Sequence, residues 1–280
     1  MPWLTPIEER ILPVMEKSSR PLWSHKGDFG TVLVVGGSEL YTGSPIFNGL
    51  AALRAGADLV ILVGHPRAMN AAAAYSPDLI TQPLKGDPAV ADIPAILKLA
   101  ERCDAAVIGG GLARTPAVHD FILKLISKLE IPMVLDAEAL HAIAKEPGVL
   151  KGKKVILTPH AEEFHVLTGE HVQDEVKDRE RKVKLQASKL GATILLKGHA
   201  DLISDGGQNV LNTTGSAYMT KGGTGDVLAG ICASLLAQGY STMEAARKAT
   251  WMNGKAGERL ADKRKDSFLT SDLLEELNLA

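Results

Sequence analysis

The stretch richest in potential chemistry runs from Asn212 to Gly230, NTTGSAYMTKGGTGDVLAG. Gly222-Gly223-Thr224-Gly225 leads into an apolar helical pattern that begins near Asp226. Glycine lets the backbone take positive φ and come close to a ligand. The first turn of the helix then offers unpaired N–H groups and the positive end of its dipole to an anion such as phosphate. Thr224 and Asp226 also suit ordinary helix capping, which is the bland alternative. A double glycine, Thr, Gly and then Asp at a helix start is more specific than a generic Gly-rich turn.

Four further segments share one position, the carboxyl end of an apolar run. Val34-Val35 leads to Gly36-Gly37-Ser38, and Val107-Ile108 to Gly109-Gly110-Gly111. Val155-Ile156-Leu157 leads to Thr158-Pro159-His160, and Leu195-Leu196 to Lys197-Gly198-His199. Open α/β sheets bind ligands beyond the carboxyl ends of their strands. Taken singly these signals are weak, since a triple glycine is more often a turn and a lone histidine at a helix entrance more often a cap. Their common placement points to one pocket. Walker-type G-x-x-x-x-G-K-[ST], G-x-S-x-G and H-E-x-x-H motifs are absent, as are zinc-ligand spacing and a G-x-G-x-x-G after the first strand.

The elements that must hold these segments alternate. Strands are expected at Thr31–Val35, Leu59–Val63, Ala105–Ile108, Met133–Leu135, Val155–Leu157 and Thr193–Leu196, as short apolar runs suited to burial on both faces. Helices are expected at Ser44–Ala55, Ala117–Lys128, Glu162–Leu167, Val176–Leu190, Asp226–Gln238 and Thr242–Ala261. This β-α-β-α order implies a mostly parallel sheet with helices on both faces. Leu202–Ser204 and Asn209–Leu211 flank Asp205-Gly206-Gly207, which reads as a hairpin adding an antiparallel element.

The chain has 280 residues, 45% of them apolar and 4% aromatic, and a formal net charge of -2. One domain over residues 1–280 is the simplest organisation. The mixed-sign run near Arg179 reads as a solvated helix face. Nothing favours nucleic acid or a membrane as partner. Met1–Arg20 contains Glu8, Glu9 and Glu16 and is not expected to be a signal peptide. No apolar run nears the roughly 20 residues that span a bilayer. Cys103 and Cys232 make no C-x-x-C pair, so a reduced, cytoplasmic protein is expected.

GGTGDVLAG, residues 222–230, resembles the anion-hole and catalytic motif of ribokinase-like enzymes. Lys26-Gly27-Asp28-Phe29-Gly30, VLVVGGSELYTGSP and AALRAGADLV resemble the N-terminal signature of the NAD(P)H-hydrate dehydratase family. VLDAEAL, LTPHAEEF and LLKGHADLI follow in that family's order, so the resemblance covers roughly residues 25 to 275. It implies a ribokinase-like three-layer αβα sandwich. It also implies repair of hydrated NADH or NADPH: a nucleotide phosphorylates the ring hydroxyl, and phosphate then leaves.

Carried over by position, Asp226 would be the catalytic base, and Ser44, Gly111, His160 and Asp226 would contact the hydrated dinucleotide. Lys197, Gly198, His199, Ala200, Asp201 and Gly225 would line the nucleotide site. Gly223, Thr224 and Gly225 would form the anion hole. Mg²⁺ would bridge nucleotide phosphates through water and substrate, with no dedicated protein ligands. ADP is preferred to ATP as donor, and a homo-oligomer, a tetramer, is expected. Three positions depart from the family pattern: Ser44 replaces a common Ala, Gly110 a common Pro, and Lys221 a small or uncharged residue that would bring positive charge near phosphate. The competing readings are a small-alcohol kinase of the same fold, also using Asp226, and a non-catalytic nucleotide-binding module.

Overall fold

Residues 20–173 and 175–277 are described by a computed structural model. Expectations placed on residues 1–19, including the leader reading, lie outside the described residues. The apolar runs form strands because both their faces find cover. Val32 and Val34 of β1 (Thr31–Val35) belong to one core cluster, and Leu33 and Val35 to another on the opposite face.

The other strands are β2 (Leu59–Gly64), β3 (Ile80–Pro83), β4 (Ala105–Ile108), β5 (Met133–Leu135), β6 (Val155–Leu157), β7 (Thr193–Leu196), β8 (Asp201–Ser204) and β9 (Asn209–Asn212). Their order across the sheet is β3-β2-β1-β4-β5-β6-β7-β8-β9. The first seven in chain order run parallel. The hairpin β8–β9 pairs antiparallel to this edge, as its turn chemistry foretold.

Helices cover both faces. On one lie α1 (Gly43–Arg54), α2 (Pro66–Tyr75), α8 (Thr224–Ala237), α9 (Thr242–Arg264) and α10 (Thr270–Glu276). On the other lie α3 (Ile93–Ala100), α4 (Pro116–Lys128), α5 (Glu138–Ile143), α6 (Ala161–Thr168) and α7 (Val176–Leu190). This is the expected three-layer αβα sandwich. The order in which the chain adds parallel strands reverses between β1 and β4, the switch point where a crevice opens beyond the strand ends. Gly37 N–H donates to the Gly110 carbonyl at 2.9 Å and Gly109 N–H to that of Val35 at 3.1 Å, tying the two loops across that point.

The run near Arg179 is solvated only in part: Arg181 is exposed, whereas Glu180 accepts a hydrogen bond from Asn209 at 2.9 Å and the Arg179 guanidinium lies where a side chain on Gly198 would be. Hence α7 turns Arg179 and Glu180 toward the β7–β9 edge and leaves other charges in solvent.

Central to the molecule is α8, buried continuously from Val227 to Leu236. A helix apolar all round needs neighbours on every side. It meets α1 closely at Gly230, where a Cβ would fall 2.2 Å from the backbone carbonyl oxygen of Asn48. Backbone cannot yield as a flexible side chain can. Gly230→Ala therefore forces the helices apart and is expected to cost about 1–3 kcal/mol. That lowers Tm by several degrees, at roughly 2–4 °C per kcal/mol for a chain of this size. Thermal denaturation checks this; an unchanged Tm would show that the crossing is looser than described.

Candidate active site

A cleft of about 810 Å³ opens at the carboxyl ends of the strands. Ser44 and Gly111 line it from the α1 and β4 sides, and His160 from the start of α6. Lys197, Gly198, His199 and Asp201 line it beyond β7, and Gly223, Thr224, Gly225 and Asp226 at the start of α8. Residues nearly 200 positions apart thus meet in one concavity. Ala200 is absent from the lining, although its neighbours on both sides belong to it.

The start of α8 is not a capped helix in the ordinary sense. Gly223 occupies the N-cap with φ 96°, and no side chain caps the helix. The Thr224 hydroxyl instead donates to the carbonyls of Met219 and Lys221 at 3.1 and 3.0 Å, shaping the preceding loop. The Gly222 carbonyl accepts from Thr270 at 2.8 Å, which pins that loop to α10. The first turn of α8 lines the cleft with no side-chain cap, and among its amides Thr224 N–H donates to the Lys221 carbonyl at 3.4 Å. Lys221 does not add charge there: its ammonium donates to the Asp266 carbonyl at 2.9 Å and lies over the Phe268 ring. That resolves one departure from the family pattern, because Lys221 serves the α9–α10 connection.

Beside Asp226 lies a cluster that sequence reasoning did not find. Lys197 Nζ donates to Asp136 Oδ1 at 3.0 Å and lies 3.7 Å from Glu163 Oε2. Asp136 also accepts from the Thr158 hydroxyl at 2.8 Å. Burial disfavours the Lys197 ammonium, but the Asp136 and Glu163 carboxylates outweigh it and hold its pKa above the ordinary value. Burial, reinforced by Asp136, pushes the Asp226 carboxyl up to about 7 against the Ser44 hydrogen bond and the Lys197 charge. A carboxyl poised near neutrality can exchange protons in both directions. One signal did mark Asp136: it follows β5 directly, at the same strand-end position as the other segments.

The remaining residues have visible local roles. His160 Nδ1 accepts from the N–H groups of Glu162 and Glu163, both at 3.2 Å, while Glu163 Oε2 accepts from His160 N–H at 2.9 Å. This reciprocal capping box starts α6 and still leaves the half-exposed imidazole on the cleft wall. Asp201 Oδ1 accepts from Gly198 N–H at 3.0 Å and curls the loop after β7. Burial pushes its carboxyl up to about 6, partly offset by that N–H and by Asn212. Ala137 adopts φ 48°, a conformation few non-glycine residues take. Its turn sends Asp136 to Lys197 and Glu138 the other way, to Arg114 at 2.8 Å and to His119. The triple glycine is equally constrained: a Cβ on Gly109, at φ 127°, would fall 1.9 Å from the Asp136 carbonyl oxygen.

Among the described residues, both cysteines are buried and free, and no helix is long and apolar enough to cross a membrane.

The family model described as NAD(P)H-hydrate dehydratase matches residues 32–279. A bifunctional NAD(P)H-hydrate repair enzyme from Pyrobaculum aerophilum is 42% identical over 257 residues, covering 91% of this chain and 51% of its own. The chain spans about half the length of such bifunctional relatives. An ADP-dependent (S)-NAD(P)H-hydrate dehydratase from Cenarchaeum symbiosum is 41% identical over 265 residues, covering 92% of this chain and 91% of its own. Among solved structures, an ADP/ATP-dependent NAD(P)H-hydrate dehydratase from Bacillus subtilis, co-crystallized with ATP/Mg²⁺, superposes with a TM-score of 0.80. It shares 29% identity over 92% of this chain and 91% of its own. Ribokinase-like proteins share the fold as well. With its sequence matched from β1 onward and its fold matched throughout, the chain belongs to the NAD(P)H-hydrate dehydratase family.

Proposed function

We propose that the protein restores NADH and NADPH from their hydrated (S) forms, consuming a nucleotide's terminal phosphoryl group. One observation carries the reading: a single cleft sets a carboxyl with a pKa of about 7 at the uncapped start of a buried helix. Asp226 takes the proton of the ring hydroxyl as its oxygen attacks the terminal phosphorus. The nucleotide leaves one phosphate shorter, AMP from ADP. The phosphorylated ring then expels phosphate as the C–O bond breaks, and the adjacent ring carbon gives up a proton to solvent, so the double bond is regained. Amides of Gly223, Thr224 and Gly225 face the charge that develops on the transferred group. Ser44, Gly111 and His160 would hold the hydrated ring and its ribose, while Lys197 to Asp201 and Gly225 would line the nucleotide.

Mg²⁺ would neutralise phosphate charge, held by nucleotide oxygens and water. Among the described residues no group of carboxylates, histidines or cysteines is placed to hold a metal by itself, which accords with a cation carried by the nucleotide. ADP is the favoured donor, in keeping with the archaeal relative's name. The whole chain would act as one domain, in the cytoplasm, as a homotetramer.

Incubation with hydrated NADH and either nucleotide tests the reading. The expected result is recovered NADH and released phosphate in equal amounts, faster with ADP. A stable phosphorylated product without NADH would instead identify a small-alcohol kinase.

A further inference from the structure

Ala137 is held where an L-residue is rarely found. Its φ of 48° and ψ of -117° fall outside the left-handed helical well, in a region that glycine occupies freely. Strain of this kind persists only where the surroundings over-determine it, and it gathers at functional sites. Ala137 lines the cleft, and both its neighbours are buried carboxylates anchored in opposite directions. Asp136 accepts from the Thr158 hydroxyl at 2.8 Å and from Lys197 Nζ at 3.0 Å. Glu138 is only 5% exposed and does not line the cleft. One of its oxygens accepts from Arg114 Nε at 2.8 Å, and the other pairs with His119 Nε2. Lys145 Nζ donates to His119 Nδ1 at 2.7 Å, so the ring proton lies on Nε2 and is given to Glu138. Burial opposes ionisation of Glu138, but the bonds from His119 and Arg114 outweigh it and hold the carboxyl below its ordinary value.

We propose that Glu138 is a positioning residue for the cleft: gripped by Arg114 and His119, it holds Ala137 in its strained turn and so keeps Asp136 on the Lys197 ammonium. Release of that grip lets Ala137 relax toward ordinary backbone, which carries the Asp136 carboxylate away from Lys197 and from Asp226. The charged groups facing Asp226 are Asp136, Glu163 and Lys197. After burial, Asp136 is the next cause that raises the Asp226 carboxyl, so its withdrawal lets Asp226 ionise more easily. The inference rests on the proposed reaction only in taking this cleft as the place where it happens.

Carbon-13 NMR titration of the Asp226 carboxyl reads the position of Asp136 without any substrate. Arg114→Ala separates the causes by sign, and its side chain is 68% exposed, so the core stays intact. Direct loss of a cation would move the Asp226 midpoint up, whereas release of Asp136 moves it down from about 7. The expected result is a fall of about half a unit in Arg114→Ala and about one unit in Glu138→Gln, which leaves one oxygen for two donors. Turnover of hydrated NADH by Glu138→Gln is expected to fall roughly tenfold as the site loosens. Adding Ala137→Gly makes the same turn an unstrained one, and should return both midpoint and turnover most of the way to wild type. A midpoint that rises or stays fixed in Arg114→Ala would overturn the proposal. So would a Glu138→Gln defect that Ala137→Gly leaves untouched, since the ion pairs would then support the fold alone. Midpoints that move as stated in a protein unable to restore NADH would uphold the role of Glu138 and count against the proposed function.

Discussion

Asp226→Asn is expected to lower turnover of hydrated NADH by roughly 10²- to 10⁴-fold, the usual cost of losing a positioned general base. That is about 3 to 5 kcal/mol of barrier. The substitution is nearly isosteric. Since Asp226 does not cap α8, no cap is lost. Stability follows the sign of the pKa shift. The folded carboxyl titrates near 7 and the unfolded one near 3.8, so the native state binds the extra proton between these values. Wild-type stability therefore falls as pH rises from about 4 to about 7. The Asn variant escapes that loss and should melt no earlier than wild type at pH 8, with unchanged affinity for ADP. Calorimetry and steady-state kinetics at pH 8 check both halves. Near-normal turnover in the folded variant would remove Asp226 from the mechanism.

Lys197→Ala is the second large effect, and it strikes fold and chemistry together. The ammonium is mostly buried, with its side chain 20% exposed, and it bridges Asp136 and Glu163. Removing one partner from a buried ion pair leaves uncompensated charge and typically costs about 3–5 kcal/mol. Tm is expected to fall by roughly 10 °C. Asp226 also loses a charge that favours its ionised form, so turnover should suffer more at pH 7 than at pH 9. A residue merely solvated at a strand end would show neither effect. An unchanged Tm with weakened ADP binding would leave Lys197 as a nucleotide contact and nothing more.

The central strands were legible to the residue, because runs such as TVLVV and TILL have no other way to bury both faces. Elements with little contrast were not. In α2, PRAMNAAAAY, alanine stands on every face, so no period emerges. Strand β3, ITQP, is a short and largely exposed edge. Helix α8 starts two residues before the expected Asp226, since Gly223 takes the N-cap for which Thr224 and Asp226 were the candidates. Of the site, the strand-end segments were readable one by one. The Asp136–Lys197–Glu163 cluster was not, because its members follow three different strands and only sheet order makes them neighbours. The departures at Ser44 and Gly110 likewise looked separate in the sequence, yet the positions adjoin: a Cβ on Gly110 would lie 3.2 Å from Ser44 Cβ and 2.8 Å from Asp226 Oδ1.

The bond between Asn48 and the Asp226 carbonyl joins positions 178 residues apart. Closing so long a loop costs chain entropy that local contacts do not. Catalytic competence requires α8 to be seated between α1 and α9, where it supplies much of one core. Regained turnover during refolding therefore reports that long-range docking, while far-ultraviolet circular dichroism reports secondary structure wherever it forms.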